Sequence, residues 1–161
     1  MAGLLSTPIN IGNSRLTGVE VSIKGTVDDR WRWRASYTPT AIEDRFAPGF
    51  TLANTLVDFE DTTPRHVLNA NVGWSRAPWE IDGFLRYQSS FDGIESPGFA
   101  AISGTLAPIS AYVSIDARIA YAPSDRITLA LAGQNITQSA QRQTASADVE
   151  RRLLATFAIA F

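Results

Sequence analysis

Arg151-Arg152-Leu153-Leu154-Ala155-Thr156-Phe157-Ala158-Ile159-Ala160-Phe161, the final eleven residues, alternate without a break. Arg151, Leu153, Ala155, Phe157, Ile159 and Phe161 share one parity, and Arg152, Leu154, Thr156, Ala158 and Ala160 share the other. Successive side chains of a strand point to opposite faces, so the bulky apolar groups gather on one face and mostly small or polar ones on the other. A strand of this kind suits either a buried core or a wall against lipid. Recurrence of the pattern along the chain, always with a wide apolar face, selects lipid.

Working outward, the period of two does recur. Ile127, Leu129, Leu131 and Gly133 alternate with Arg126, Thr128, Ala130, Ala132 and Gln134, and Val113, Ile115, Ala117, Ile119 and Tyr121 alternate with Tyr112, Ser114, Asp116, Arg118 and Ala120. Trp79, Ile81, Gly83, Leu85 and Tyr87 oppose Glu80, Asp82, Phe84, Arg86 and Gln88. His66, Leu68, Ala70, Val72 and Trp74 oppose Arg65, Val67, Asn69, Asn71 and Gly73, leaving Val67 and Phe84 as exceptions on the polar side. Trp31, Trp33, Ala35 and Tyr37 stand against Arg30, Arg32, Arg34 and Ser36. A first strand, expected from Thr17 to Asp28, sets Val19, Val21, Ile23, Gly25 and Val27 against Glu20, Ser22, Lys24, Thr26 and Asp28. Together these make about seven strands of the roughly 9–11 residues that cross a bilayer at a tilt.

Three regularities separate lipid from an ordinary core. The connections alternate: Asp28–Arg30, Arg76–Pro78 and Pro123–Asp125 are short, whereas Pro39–Pro64, Ser89–Ser110 and Asn135–Val149 are long, as in outer-membrane barrels with short periplasmic turns and long outer loops. All four tryptophans, Trp31, Trp33, Trp74 and Trp79, lie within a few residues of a short turn, as do Tyr121 and Phe161. Rings collected at one height form an interfacial girdle. Finally, the polar parity carries both signs of charge, in Glu20, Lys24, Arg32, Arg34, Glu80, Asp82, Arg86, Asp116 and Arg118, which suits a water-filled lumen. A soluble ligand-binding barrel inverts this polarity.

Composition narrows the remaining classes. With 14 basic against 16 acidic residues in 161 and a net charge of -2, the chain offers no basic surface for nucleic acid. Mean hydropathy is -0.03, and no apolar run approaches the roughly 20 residues of a spanning helix. Cysteine is absent, excluding disulfides, thiolate metal sites and cysteine nucleophiles. The opening residues Met1 to Pro8 lack the basic and apolar regions of an export signal. His66 is the only histidine and reads as an interfacial residue rather than a base, no serine has a histidine at motif spacing, and no glycine-rich phosphate loop occurs, so no catalytic, metal or cofactor residue is assigned. Loop acids Glu43, Asp44, Asp58, Glu60 and Asp61 read as solvated charge rather than cation ligands. Asn135-Ile136-Thr137 forms a glycosylation sequon only by chance. The row Arg30, Arg32, Arg34 is expected to pair across the lumen with carboxylates on neighbouring strands, such as Glu20, rather than to hold an anionic ligand.

An odd strand count places the two ends of the sheet on opposite sides of the membrane, whereas bacterial barrels normally have an even count. The economical expectation is the C-terminal part of a larger antiparallel up-and-down barrel, not closed on its own, spanning residues 15–161, with residues 1–14 a loop or the remnant of a preceding strand. A small passive barrel or a soluble β-sandwich binding module are the other readings.

The residues also resemble a known family. Asn13-Ser14-Arg15-Leu16-Thr17-Gly18-Val19-Glu20, Trp33-Arg34-Ala35-Ser36-Tyr37-Thr38, Pro64-Arg65-His66-Val67-Leu68-Asn69, Ser114-Ile115-Asp116-Ala117-Arg118, Gly133-Gln134-Asn135-Ile136-Thr137 and the aromatic C-terminus are similar, in order and spacing, to segments of TonB-dependent outer-membrane receptors. The resemblance covers Asn13 to Phe161. It implies a plugged barrel of about 22 strands that imports ferric siderophores, cobalamin or sugars, energised by the TonB complex through a plug and TonB box that this sequence does not contain. It also implies that Phe157, Ile159 and Phe161 form the signal read by the barrel-assembly machinery. No residue is singled out for substrate.

Overall fold

The structure is a computed structural model that describes residues 9–51, 58–95 and 105–161. Leu4 and Leu5 lie outside the described residues, as do Pro97, Gly98 and Gly104 of the second long connection. In chain order the strands are β1 (Gly12–Gly18), β2 (Val21–Val27), β3 (Trp31–Phe46), β4 (His66–Arg76), β5 (Trp79–Gln88), β6 (Phe91–Glu95), β7 (Thr105–Ile109), β8 (Tyr112–Ser124), β9 (Ile127–Gln134), β10 (Ala140–Gln141), β11 (Val149–Glu150) and β12 (Arg152–Ile159).

The main sheet runs β1-β3-β4-β5-β8-β9-β12, with β2 also on β3. Each pairing is antiparallel. Strands β1 and β2 share one position: β2 pairs with Trp31–Tyr37 and β1 with Thr40–Phe46 of the same long strand. Between them the Val19 amide donates to the Pro39 carbonyl at 3.2 Å. Proline has no amide hydrogen to offer the ladder. Among the described residues no pairing joins β12 to β1 or β2, so this up-and-down sheet is not closed.

Two boundaries depart from the sequence expectation. The first strand, expected unbroken from Thr17 to Asp28, is instead β1 from Gly12 and a separate β2 from Val21, and β3 runs on to Phe46 through a stretch expected to be loop. In both places neither face is apolar, so water on both sides leaves no alternation to read. The second and third long connections carry small hairpins, β6–β7 and β10–β11. At the opposite end the connections are tight. Asp28 and Asp29 take positive φ (54° and 50°) in the three-residue turn between Val27 and Trp31, with the Arg30 amide donating to the Val27 carbonyl. Ala77-Pro78 is a cis bond.

Register sorts the side chains onto two faces. One row reads Val27, Trp31, Trp74, Ile81, Ile119, Leu131, Ala155 from strand to strand. The adjacent row on the other face reads Thr26, Arg32, Gly73, Asp82, Arg118, Ala132, Leu154. The apolar face is uncovered: Leu131 is 50% exposed and Phe157 62%. Among the described residues only Ala107, Ile109, Tyr112 and Ala120 form a buried apolar core. Soluble monomers rarely leave so contiguous an apolar surface in water, and the second sheet that a sandwich would press against it is not among the described residues.

Candidate functional site

The polar face is built around four charges near the short-turn end. The Arg32 guanidinium on β3 reaches both Glu80 (Nη2–Oε1, 3.1 Å) and Asp82 on β5. Arg118 on β8 meets the same two carboxylates at 2.8 and 3.2 Å. Two cations and two anions thus form a closed, neutral clasp over four adjacent strands. Arg32 has to cross β4 to do so, and it can because the residue in between is Gly73: a Cβ there would lie 2.6 Å from the arginine Cζ and Nε. Ion pairing of the arginine row therefore occurs, but with β5 rather than with Glu20, which sits exposed between β1 and β2 and makes no ion pair among the described residues.

One layer further from the turns the charges are not balanced. Lys24 and Arg34 are direct cross-strand partners, and neither side chain makes an ion pair or hydrogen bond among the described residues. Arg86, a layer further still, donates only to Gln88 Oε1, at 3.0 Å. Asp116, in the layer of Arg34, accepts the backbone amide of Asn135 at 2.8 Å. That bond anchors the chain where Asn135 turns with φ 49° into the connection carrying β10 and β11. The connection folds back over the sheet: Gln141 donates to the Val113 carbonyl at 3.0 Å, and Gly93 approaches Ala145 so closely that a Cβ would meet its methyl at 2.8 Å.

The aromatics stand on the apolar face near the short turns. Trp31 and Trp74 are in register, with centroids 6.4 Å apart. Trp79 and Tyr121 are in register at 4.5 Å. Trp33 lies across Gly25, whose missing side chain leaves it the space. Toward the long connections, Tyr37 Oη is 2.9 Å from His66 Nδ1 and the two rings stack.

The loop acids make local hydrogen bonds. Asp44 accepts the amides of Phe59 (2.7 Å) and Glu60 (3.0 Å), and Asp58 accepts the amide of Asp61. Burial works against the ionised Asp44, but the Ser14 hydroxyl and the Glu60 and Phe59 amides outweigh it and hold its carboxyl below the usual aspartate range. Among the described residues no His, Asp and Glu side chains converge in threes as metal ligands. The sequence reading passed over Gly73, which has no signal until the register is known.

A protein-family model described as "TonB dependent receptor-like, beta-barrel" matches residues 2–136. We found no match among curated proteins. Among solved structures, the chain is similar to FpvAI in its complex with pyocin S2, at 16% identity over 92% of this chain and 19% of that one, with a TM-score of 0.68. The ferric-catecholate import receptor Fiu of E. coli K12 aligns at 19% identity over 93% of this chain and 21% of that one, TM-score 0.68. The siderophore receptor PiuA of Acinetobacter baumannii aligns at 16% identity over 93% and 22%, TM-score 0.66. The chain spans about one fifth of the length of these structures. It belongs to the TonB-dependent receptor β-barrel family, whose members are receptors and transporters of the outer membrane.

Proposed function

We propose that residues 15–161 are the C-terminal part of a receptor barrel in the outer membrane of a Gram-negative cell, serving TonB-energised uptake of a scarce nutrient, of which a siderophore-type iron chelate is the leading class. The observation that carries this reading is the uncovered apolar face, with its aromatics near the short turns, backed by a polar face with a neutral ionic clasp. On this reading the apolar face contacts lipid, Trp31, Trp33, Trp74, Trp79 and Tyr121 form the periplasmic girdle, and the charged rows line a water-filled lumen. The TonB complex acts through a plug outside this chain. Phe157, Ile159 and Phe161, all on the outward parity, are what the barrel-assembly machinery reads. Support for the nutrient class comes from the names of the structural relatives, two of which are import or siderophore receptors.

The test is fractionation of Gram-negative cells expressing the chain behind an added export signal. Outer-membrane recovery with heat-modifiable gel migration is expected; monodisperse recovery from plain buffer without detergent would sink the proposal.

A further inference from the structure

On the apolar face, the last row before the turn that joins β4 to β5 reads Arg76, Trp79, Tyr121, Leu129, Phe157 from strand to strand. It differs from the row above it, Trp74 to Ala155, in holding a charge. Arg76 is exposed, and its side chain makes no ion pair or hydrogen bond among the described residues. The carboxylates of the neighbouring strand, Glu80 and Asp82, belong to the other face and are held by Arg32 and Arg118. Next to Arg76 in the row stand two further donors, the Trp79 indole N–H and the Tyr121 hydroxyl, on rings whose centroids are 4.5 Å apart. Along the same row the surface dips. Ala155 is surrounded by the bulkier Ile119, Leu129, Leu131 and Phe157, and among them runs a groove of about 390 Å³ that reaches Trp79, within the roughly 300–1,000 Å³ usual for small-molecule sites.

A guanidinium fork takes two phosphate oxygens at once, and rings with one polar atom suit a boundary where one end is apolar and the other wet. A cation at the head of an apolar groove therefore fits a molecule with an anionic head and a hydrocarbon tail. We propose that Arg76, Trp79, Tyr121 and the groove at Ala155 bind one anionic glycerophospholipid, its phosphodiester on Arg76, its glycerol esters against the two rings and one acyl chain in the groove. The proposal rests on the apolar face meeting lipid, as under the proposed function. The head is of the phosphatidylglycerol type, because a choline or ethanolamine head would add a second cation beside Arg76. A second copy of the chain is the poorer occupant: it would bring this same face, whose rows from Trp74 to Phe157 hold no carboxylate to pair with Arg76.

The probes are phosphatidylglycerol and phosphatidylcholine with the same acyl chains, titrated into the full chain folded in detergent micelles and counted per chain by native mass spectrometry, with folding of each variant verified by heat-modifiable migration. The first phosphatidylglycerol is expected to bind about fivefold more tightly than phosphatidylcholine, the worth of one arginine beside an anionic lipid. Arg76→Gln is expected to erase that preference and leave phosphatidylcholine unchanged. Ala155→Phe, which fills the groove with another apolar side chain, is expected to weaken both lipids about threefold. Arg30→Gln, at the turn between β2 and β3, is expected to keep the preference. A folded chain that binds the two lipids alike, a preference that survives Arg76→Gln or is lost equally in Arg30→Gln, or a groove indifferent to Ala155→Phe overturns the inference and leaves the barrel assignment standing. Displacement of the lipid by an equal concentration of inorganic phosphate would make this a site for a free anion and overturn it as well. A chain that never folds in micelles overturns the barrel assignment itself.

Discussion

Arg32 and Asp82 sit on strands that are not neighbours, yet the guanidinium of one is bonded to the carboxylate of the other across the bare backbone of Gly73. A side chain at Gly73 would push the arginine aside and open the clasp. Gly73→Ala is expected to cost about 1–2 kcal/mol, because the charges are partly screened by water and Asp82 loses its bond to Arg32 while keeping the one to Arg118. In an Arg32→Ala background the same change is expected to cost almost nothing. Gly83→Ala, whose Cβ meets only Val72 at 3.6 Å, is the control and should stay within about 0.5 kcal/mol. Urea unfolding in vesicles measures all of these, and additive costs for Gly73→Ala and Arg32→Ala would refute the crossing.

Leu131→Arg and Ala130→Arg put the same charge on opposite faces of β9. Leu131 is in register with Ile119 and Ala155, and Ala130 with Ala120 and Thr156. The first is expected to cost about 2–4 kcal/mol near the bilayer midplane and to depress assembly strongly, the second to be mild. Equal yields of heat-modifiable protein would count against the assigned faces, and a lower yield for Ala130→Arg than for Leu131→Arg would show them reversed.

Tryptophan fluorescence tests the proposed girdle directly. All four indoles lie on the apolar face close to the short turns, so lipids brominated near the headgroup should quench them more than lipids brominated near the chain ends. Stronger quenching from the chain ends would place these rings at the wrong depth.

Asp44 predicts a pH dependence outside the bilayer. Its folded pKa lies below the unfolded one, so the stability it lends to the segment around Phe59 and Glu60 is fully present above the ordinary aspartate value of about 3.9 and is lost as pH falls through the lower, folded value. Hydrogen-exchange protection of the Phe59 and Glu60 amides, corrected for intrinsic rates, should hold from neutral pH to about pH 5 and decline only in stronger acid. Asp44→Asn should lower that protection at neutral pH and remove most of its acid dependence. Protection that is unchanged in the variant would mean the two bonds do not hold the segment.

Where one face is apolar and the other polar, the sequence was legible. The parity of Trp31, Ile81, Ile119 and Leu131 carries over intact into one cross-strand row, and the short turns fall where the alternation pauses. Legibility ended where that contrast ended. Thr40 to Phe46 form a regular strand, but with solvent on both sides nothing requires their side chains to alternate. The clasp was half legible: Arg32 was expected to find a carboxylate, yet its partners are two strands away, and only the register reveals that Gly73 leaves the path open. Arg76 read as one residue of a tight turn, and its place at the end of the row of Trp79 and Tyr121 shows only once β4, β5 and β8 are laid side by side.

The pairing of β1 with the far half of β3 extends the sheet by seven cross-strand pairs, Gly12 to Gly18 against Thr40 to Phe46. On the proposed reading Trp31 to Pro39 supplies the nine or so residues a bilayer crossing takes, and this ribbon would then rise clear of the headgroups, by up to about 20 Å at the usual rise per residue. In a living cell it would be among the first parts of the chain met by an antibody, a phage or a protease. A short epitope tag grafted beside Gly49 would then be readable on intact bacteria, with the spanning strands undisturbed beneath it.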